Sequence, residues 1–147
     1  MMPKNKSNGI GSLNEKPLHA ALKQWCAKPN DRFEVNVDGF VIDIVRDDVL
    51  LEIQSRNFAA MKRKLHQLTT NHKVRLIYPI AQEKWIVKLD ENGKEASRRK
   101  SPKRGCPESL FEELVSFPKL ISHPNFSLLV LMVQEEEVRA YDPKRNW

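Results

Sequence analysis

The spacing of apolar residues divides the chain into alternating helical and strand segments. Apolar side chains recur at helical intervals within 13–27, where Leu18, Leu22 and Trp25 are predicted to form the buried face of a first helix. Between 32 and 55 the apolar positions alternate with polar ones. The turn signals DG and DD within that stretch divide it into a three-stranded antiparallel meander.

The rest of the chain continues the alternation. The predicted elements are a helix over 57–72, strands over 73–80 and 84–90, a basic loop over 91–105, a helix from 107 and a strand over 126–133. This order predicts an α/β (α+β) fold with helices on the faces of one mixed sheet. We expect a single domain over 12–147, preceded by a short disordered lead over 1–11.

Composition narrows the classes of function. Cys26 and Cys106 lie far apart, and neither has a second Cys or a His at metal-ligand spacing, so reduced thiols and a cytoplasmic location are expected. No apolar run approaches the length of a membrane span, so no membrane partner is expected. The formal net charge of +6 favours polyanionic partners such as nucleic acid.

The meander carries two carboxylates inside apolar runs. Hairpin turns fix the register, and the DG and DD turns place Glu34 opposite Asp43 and Asp43 opposite Glu52. The same register predicts that the other face holds only apolar residues, namely Phe33, Val35, Val37, Phe40, Ile42, Ile44, Val49, Leu51 and Ile53. Like charges directly opposite each other are destabilising, so the row of three carboxylates requires cations.

Two sources of cations fit the row. Hard oxygen ligands suit Mg²⁺ or Mn²⁺, which bind one or two carboxylates and complete their coordination with water and substrate phosphate. Alternatively, basic side chains of the first or second helix neutralise the row. In that case the chain is a structural or interaction protein, and basic groups within about 4 Å of the carboxylates would distinguish it.

The arrangement resembles the PD-(D/E)xK nuclease superfamily over roughly 12–80. The superfamily has an acid in a first helix, an Asp on the second strand of a meander and a (D/E)-x-K motif on the third. Glu15, Asp43 and Glu52-Ile53-Gln54 fit these positions. Gln54 replaces the usual Lys, and Lys62 or Lys64 on the following helix could supply the missing charge.

The resemblance implies a restriction-endonuclease-like core and a Mg²⁺- or Mn²⁺-dependent deoxyribonuclease with little base specificity. Asp43, Glu52 and the carbonyl of Ile53 would hold the metal, Gln54 would orient the attacking water, and Glu15 or Glu34 would complete the outer ligation. Glu15 also fits a capping box that begins at Ser12. Without the motif Lys, an inactive nucleic-acid-binding module of the same fold is an equally concrete alternative.

Basic residues supply a predicted surface for the phosphate backbone of nucleic acid. They are Arg56, Lys62, Arg63, Lys64, Arg98, Arg99, Lys100, Lys103 and Arg104. DNA is the expected partner, and RNA fits the same chemistry. Relatives that cut both strands are often dimers, so a homodimer is a further expectation of the resemblance.

Overall fold

The computed structural model describes residues 17–55, 57–115 and 117–144, so the predicted Glu15 and Arg56 lie outside the described residues. The helices are α1 (Pro17–Cys26), α2 (Lys62–Asn71) and α3 (Ser109–Leu114), and a 3-10 helix at Phe58–Met61 leads directly into α2. The strands are β1 (Arg32–Val37), β2 (Phe40–Arg46), β3 (Val49–Ile53), β4 (Lys73–Leu89), β5 (Glu95–Lys100) and β6 (Phe126–Arg139).

The strands form one six-stranded mixed sheet. β1, β2 and β3 are the predicted antiparallel meander, and α2 connects β3 to β4 as a crossover between parallel neighbours. β4 also pairs in parallel with β6 and antiparallel with β5. The prediction of a mixed sheet with helices in an α+β arrangement is therefore confirmed at this coarse level.

β4 is a single strand, where the sequence predicts two. The pairing of β4 with β6 shifts register between Ala81 and Glu83, at the place where the sequence pattern predicts a break between two strands. Pro79 lies in this strand where one side has no partner strand, because β3 ends opposite Ile77 and β5 ends opposite Trp85. A missing N–H is tolerated at such a place in a sheet.

The predicted basic loop over 91–105 contains a strand, β5. The carboxylate of Asp90 accepts hydrogen bonds from the N–H groups of Asn92 and Lys94, both at 2.9 Å, and Gly93 takes a φ of 78°. These features form a tight turn that returns the chain onto β4. The high positive charge of the segment led to the prediction of a loop. In the fold, carboxylates on neighbouring strands neutralise part of that charge.

The core has two clusters, one on each helix-bearing side of the sheet. One contains Leu65 and Leu68 of α2, and the other contains Leu22 of α1. The predicted apolar face is divided between them: Val35, Val37, Phe40 and Ile42 join the α2 cluster, whereas Ile44, Val49, Leu51 and Ile53 join the α1 cluster. The prediction of one shared face is wrong.

The change of side occurs on β2, between Ile42 and Ile44, and the residue opposite this point on β1 is Glu34. This residue has a φ of 52°, in the left-handed region, and it stands between the register pairs Phe33↔Ile44 and Val35↔Ile42. The pairing keeps its register across this point, but the alternation of faces is interrupted there. A second correction concerns α1, in which Trp25 is 72% exposed and does not belong to the buried face.

Candidate active site

The strands β2 and β3 part at Asp43 and Glu52. Their paired residues end with Ile44↔Leu51, in the register that the turns predict. Beyond it, the N–H of Asp43 donates to Oε1 of Glu52 at 3.1 Å, and the N–H of Ile53 donates to Oδ2 of Asp43 at 2.9 Å. Side-chain carboxylates therefore satisfy backbone groups where the strands separate.

Each of these carboxylates has a basic partner from a different helix. Nζ of Lys64, on α2, lies 2.9 Å from Oε2 of Glu52 and 2.8 Å from the carbonyl oxygen of Val41. Nε2 of His19, on α1, lies 3.2 Å from Oδ2 of Asp43. We call Asp43, Glu52, His19 and Lys64 the carboxylate fork.

Glu34 stands apart from the fork. Its side chain is 63% exposed and pairs with Nζ of Lys23 at 3.2 Å. Within the described ranges, no group of three or more His, Cys, Asp or Glu side chains is arranged to hold a metal ion. The predicted row of three carboxylates is thus reduced to the pair Asp43 and Glu52.

The two carboxylates of the fork have opposite pKa shifts. Burial raises the pKa of Glu52, which is 5% exposed, and the charge of Asp43 raises it further; Lys64 offsets only part of this rise. Burial also acts to raise the pKa of Asp43, but the hydrogen bonds from His19 and from the N–H of Ile53, with the charges of His19 and Lys23, outweigh it. The pKa of Asp43 is therefore lowered.

This divergence defines what the fork can do chemically. Asp43 remains ionised over a wider pH range than an ordinary Asp, whereas Glu52 takes up a proton more readily than an ordinary Glu. Paired titratable groups with pKa values shifted in opposite directions are typical of sites that bind cations or transfer protons. Structural ion-pair networks share this property, so the fork fits both classes of role.

Gln54 lies directly after the fork at the end of β3. Its N–H donates to the carbonyl oxygen of Ile77 at 3.0 Å, and its side-chain Nε2 lies 3.4 Å from the carbonyl oxygen of Asn57. The side chain therefore contacts its own loop. The carboxylate of Glu113, on α3, fixes the far end of that loop by accepting from the N–H groups of Asn57 and Phe58 at 3.2 Å and 2.9 Å.

The predicted phosphate-binding residues fall into two groups. Lys64 lies 2.9 Å from Glu52, Arg98 bonds to Glu95 and Glu136, and Lys100 lies 2.6 Å from Glu83, so carboxylates already neutralise these three charges. The others are exposed and form no ion pair within the described parts of the chain; they are Lys62, Arg63, Arg99, Lys103 and Arg104.

Sequence reasoning missed His19, Lys23 and Glu113. The first two are four residues apart on α1, so one side of the helix presents both to the acidic side chains. That spacing was a usable signal, because a basic pair beside an apolar stripe indicates a helix that docks on acidic groups. Glu113 carries no such signal, since it caps a loop that is distant in sequence.

Comparisons with known proteins place the chain in a family without supplying an activity. The family described as domain of unknown function (DUF8091) matches residues 16–147. An uncharacterized protein of Treponema pallidum (strain Nichols) is 31% identical over 136 residues, which are 92% of this chain and 54% of that protein. The chain thus spans about half the length of this curated relative.

Two further findings complete the comparison. No solved structure matches the chain. None of the helices in the described part of the chain has the length and apolar character that crossing a membrane requires. Because the family match extends over nearly the whole chain, the chain belongs to the family described as domain of unknown function (DUF8091).

Proposed function

We propose that the chain is a metal-dependent nuclease with a restriction-endonuclease-like core, and that the carboxylate fork is its active site. The observation that carries the proposal is the position of Lys64. Its ammonium group lies 2.9 Å from Glu52, the acid of the E-x-Q motif. A lysine from α2 thus supplies the positive charge that Gln54 cannot supply.

The order of the elements supports the same proposal. A helix, an antiparallel meander, a crossover helix and a parallel fourth strand follow one another, and the two acids lie where β2 and β3 separate. This is the order on which the resemblance to the PD-(D/E)xK superfamily rests. Fold alone does not imply activity, so the assignment rests on the residues of the fork.

The donor set is compatible with Mg²⁺ or Mn²⁺. Asp43 and Glu52 provide hard oxygen atoms on adjacent strands, and Mg²⁺ commonly uses one or two carboxylates rather than a cage of protein ligands. Two carboxylates therefore suffice, and the exposed position of Glu34 is no obstacle. A bound divalent cation would activate water and stabilise charge on the phosphate during hydrolysis.

The chain's own residues would divide the remaining tasks. Asp43, with its lowered pKa, stays ionised and holds a cation at neutral pH. Lys64 has a second acceptor in the carbonyl oxygen of Val41, so its ammonium can release an oxygen of Glu52 and remain beside the substrate phosphate. His19 holds the carboxylate of Asp43 from the opposite side of the fork. Exposed Arg and Lys side chains would bind the DNA backbone.

The test is cleavage of labelled duplex, branched and single-stranded DNA with Mg²⁺, Mn²⁺ or EDTA. We expect metal-dependent cleavage that Asp43→Asn abolishes, because Asn retains an acceptor for the N–H of Ile53 but lacks the charge. Asp48→Asn is the matched control, since Asp48 is exposed and its only described ion pair, with Lys73, spans 4.0 Å. Cleavage by Asp43→Asn at the wild-type rate would refute the assignment.

A second candidate is a non-catalytic nucleic-acid-binding or interaction module of the same fold. One observation favours it: Asp43, Glu52 and Glu34 each have a basic side chain within 4 Å, as expected if the protein neutralises its own carboxylates. DNA binding without cleavage in either metal, together with no Mn²⁺ binding that Asp43→Asn removes, would favour this candidate over the nuclease.

A further inference from the structure

A groove lies beside the C-terminal end of α1, away from the fork. It encloses about 310 Å³, and its floor is apolar, formed by Leu51, Ile77 and Leu131 of three adjacent strands. Trp25, Lys28 and Arg75 stand at its rim. Its volume falls at the lower end of the range for small-ligand sites, which is about 300–1,000 Å³.

Trp25 is the unusual residue of this groove. It is 72% exposed, and Leu129, which lines the same groove, is 39% exposed. A single exposed apolar residue needs no explanation, but an exposed Trp beside a second exposed apolar side chain forms a patch that indicates a ligand or partner.

The charges around the groove indicate which ligand. Lys28 and Arg75 are exposed, and the side chain of neither forms an ion pair in the part of the chain that the structure describes; Asp31, which accepts from the backbone N–H of Lys28 at 2.8 Å, is already paired with Arg46. Arg75 donates to the neutral hydroxyl of Ser127 at 3.3 Å, which leaves its charge uncompensated. Arg46, by contrast, is held by Asp31 at 2.8 Å and serves the fold.

We propose that this groove binds single-stranded nucleic acid, with a base stacked on Trp25 and the adjoining phosphates bound by Lys28 and Arg75. An aromatic platform flanked by cations is the combination that recognises a single strand, because its bases are free to stack and its backbone is anionic. A duplex offers no such base, since its bases are already stacked.

The groove and the fork share α1. His19 of the fork and Trp25 are six residues apart on this helix, which corresponds to about 9 Å along its axis. Leu51 on the groove floor directly precedes Glu52, but Leu51 packs on the α1 side of the sheet, whereas Glu52 meets Lys64 on the α2 side. The inference rests on the proposed function for the class of ligand, nucleic acid, and adds the strandedness of that ligand and a second surface that binds it.

The experiment measures anisotropy of a short labelled oligothymidylate in EDTA, which prevents metal-dependent cleavage. We expect Trp25→Ala to weaken binding about tenfold, because base stacking on an aromatic ring is lost. Trp25→Phe should retain most of the affinity. Phe111→Ala is the matched control, since Phe111 is an exposed aromatic residue on α3, and it should bind as the wild type does.

Charge and strandedness give two further readouts. Arg75→Met should lower the slope of log affinity against log salt by about 0.7, the value for one phosphate contact on a single strand. Unlabelled single strand should compete better than duplex of the same length. Equal competition by duplex would overturn the inference.

The remaining outcomes separate this inference from the proposed function. Binding that depends on Trp25, in a protein that cleaves nothing in Mg²⁺ or Mn²⁺, would support the groove and refute the nuclease. Cleavage with oligonucleotide binding unchanged in Trp25→Ala would support the nuclease and overturn the groove. If Trp25→Ala instead changes only the sedimentation of the free protein, the patch joins copies of this chain and the inference is overturned.

Discussion

The carboxylate fork and the outer part of the sheet use the same ion-pair chemistry in different surroundings. We call the second region the charged arm; it comprises residues 83–89 of β4, the whole of β5, and residues 134–139 of β6. Lys64 and Glu52 lie 2.9 Å apart in the fork, and Lys84 and Glu137 lie 2.8 Å apart in the arm. Glu52 is 5% exposed, whereas Glu137 is 36% exposed.

The N···O distance of an ion pair therefore does not indicate how much the pair contributes to stability. In the arm, water competes for both charges and salt screens them, so each pair contributes about 0–1 kcal/mol. In the fork, removal of one partner leaves a charge without the water that would solvate it. The fork is therefore where a single substitution should alter stability, protonation and the proposed chemistry together.

The largest effect is expected for Lys64→Met. It leaves Glu52 buried without its cation and the carbonyl of Val41 without a donor, so we expect a loss of about 3 kcal/mol in the free energy of unfolding. Urea denaturation at neutral pH measures it. Lys62→Met, an exposed lysine on the same helix, should change stability by less than about 0.5 kcal/mol. Equal effects of the two substitutions would refute the claim that the contacts of Lys64 in the fork stabilise the fold.

A carboxylate of intermediate exposure sharpens the comparison. Glu113 accepts from the N–H groups of Asn57 and Phe58 at the start of the 3-10 helix, so Glu113→Ala should cost about 1–2 kcal/mol. Glu112→Ala, one residue earlier on α3 and exposed, is the control and should be close to neutral. The difference between their unfolding midpoints in urea measures the contribution of the Glu113 hydrogen bonds to stability. Equal midpoints would show that these hydrogen bonds do not stabilise the fold.

The opposite pKa shifts predict opposite pH dependences within the fork. Because the pKa of Asp43 is lowered from 3.8, its stabilisation is present above that value and is lost as pH falls through the folded-state pKa. Because the pKa of Glu52 is raised from 4.5, the folded state binds that proton more tightly, and stability is lost as pH rises through the raised pKa.

Unfolding free energies measured over a range of pH check these signs. With rising pH, the stability of the wild type relative to Asp43→Asn should increase. Its stability relative to Glu52→Gln should decrease. Parallel curves for the two substitutions would contradict the assigned shifts.

The smallest effect is expected in the arm. Lys84→Met removes the pairs with Glu135 and Glu137, and should cost about 0.5 kcal/mol at low salt and less at high salt. Urea denaturation at two ionic strengths tests this. A salt-independent loss as large as that of Lys64→Met would show that the arm is not solvated as described.

Parts of the fold and site were accessible from sequence because local rules fix them. The DG and DD turns set the register of the meander, so the opposition of Asp43 and Glu52 could be predicted. The lysine that could compensate for Gln54 was narrowed to Lys62 or Lys64. Only the position of α2 over the sheet selects Lys64, which reaches Glu52.

Other features had no local signal. The change of side between Ile42 and Ile44 is not readable from residue type, and neither is the φ of 52° at Glu34 opposite it. The basic segment over 91–105 was predicted as a loop because its charges conceal strand spacing. The segment is a strand because its backbone pairs with β4 after the turn at Asp90, and Glu83 of β4 and Glu136 of β6 offset part of its charge.

The sequence by itself determined the order of the elements from α1 to α2, the register of the meander and the presence of acids within apolar runs, since turn chemistry and periodicity act over a few residues. Tertiary structure decided which cations meet those acids: His19 and Lys64 come from helices on opposite sides of the sheet. It also decided that Glu34 and Trp25 face water. Desolvation and charge pairing depend on neighbours in space, and only the folded chain supplies them.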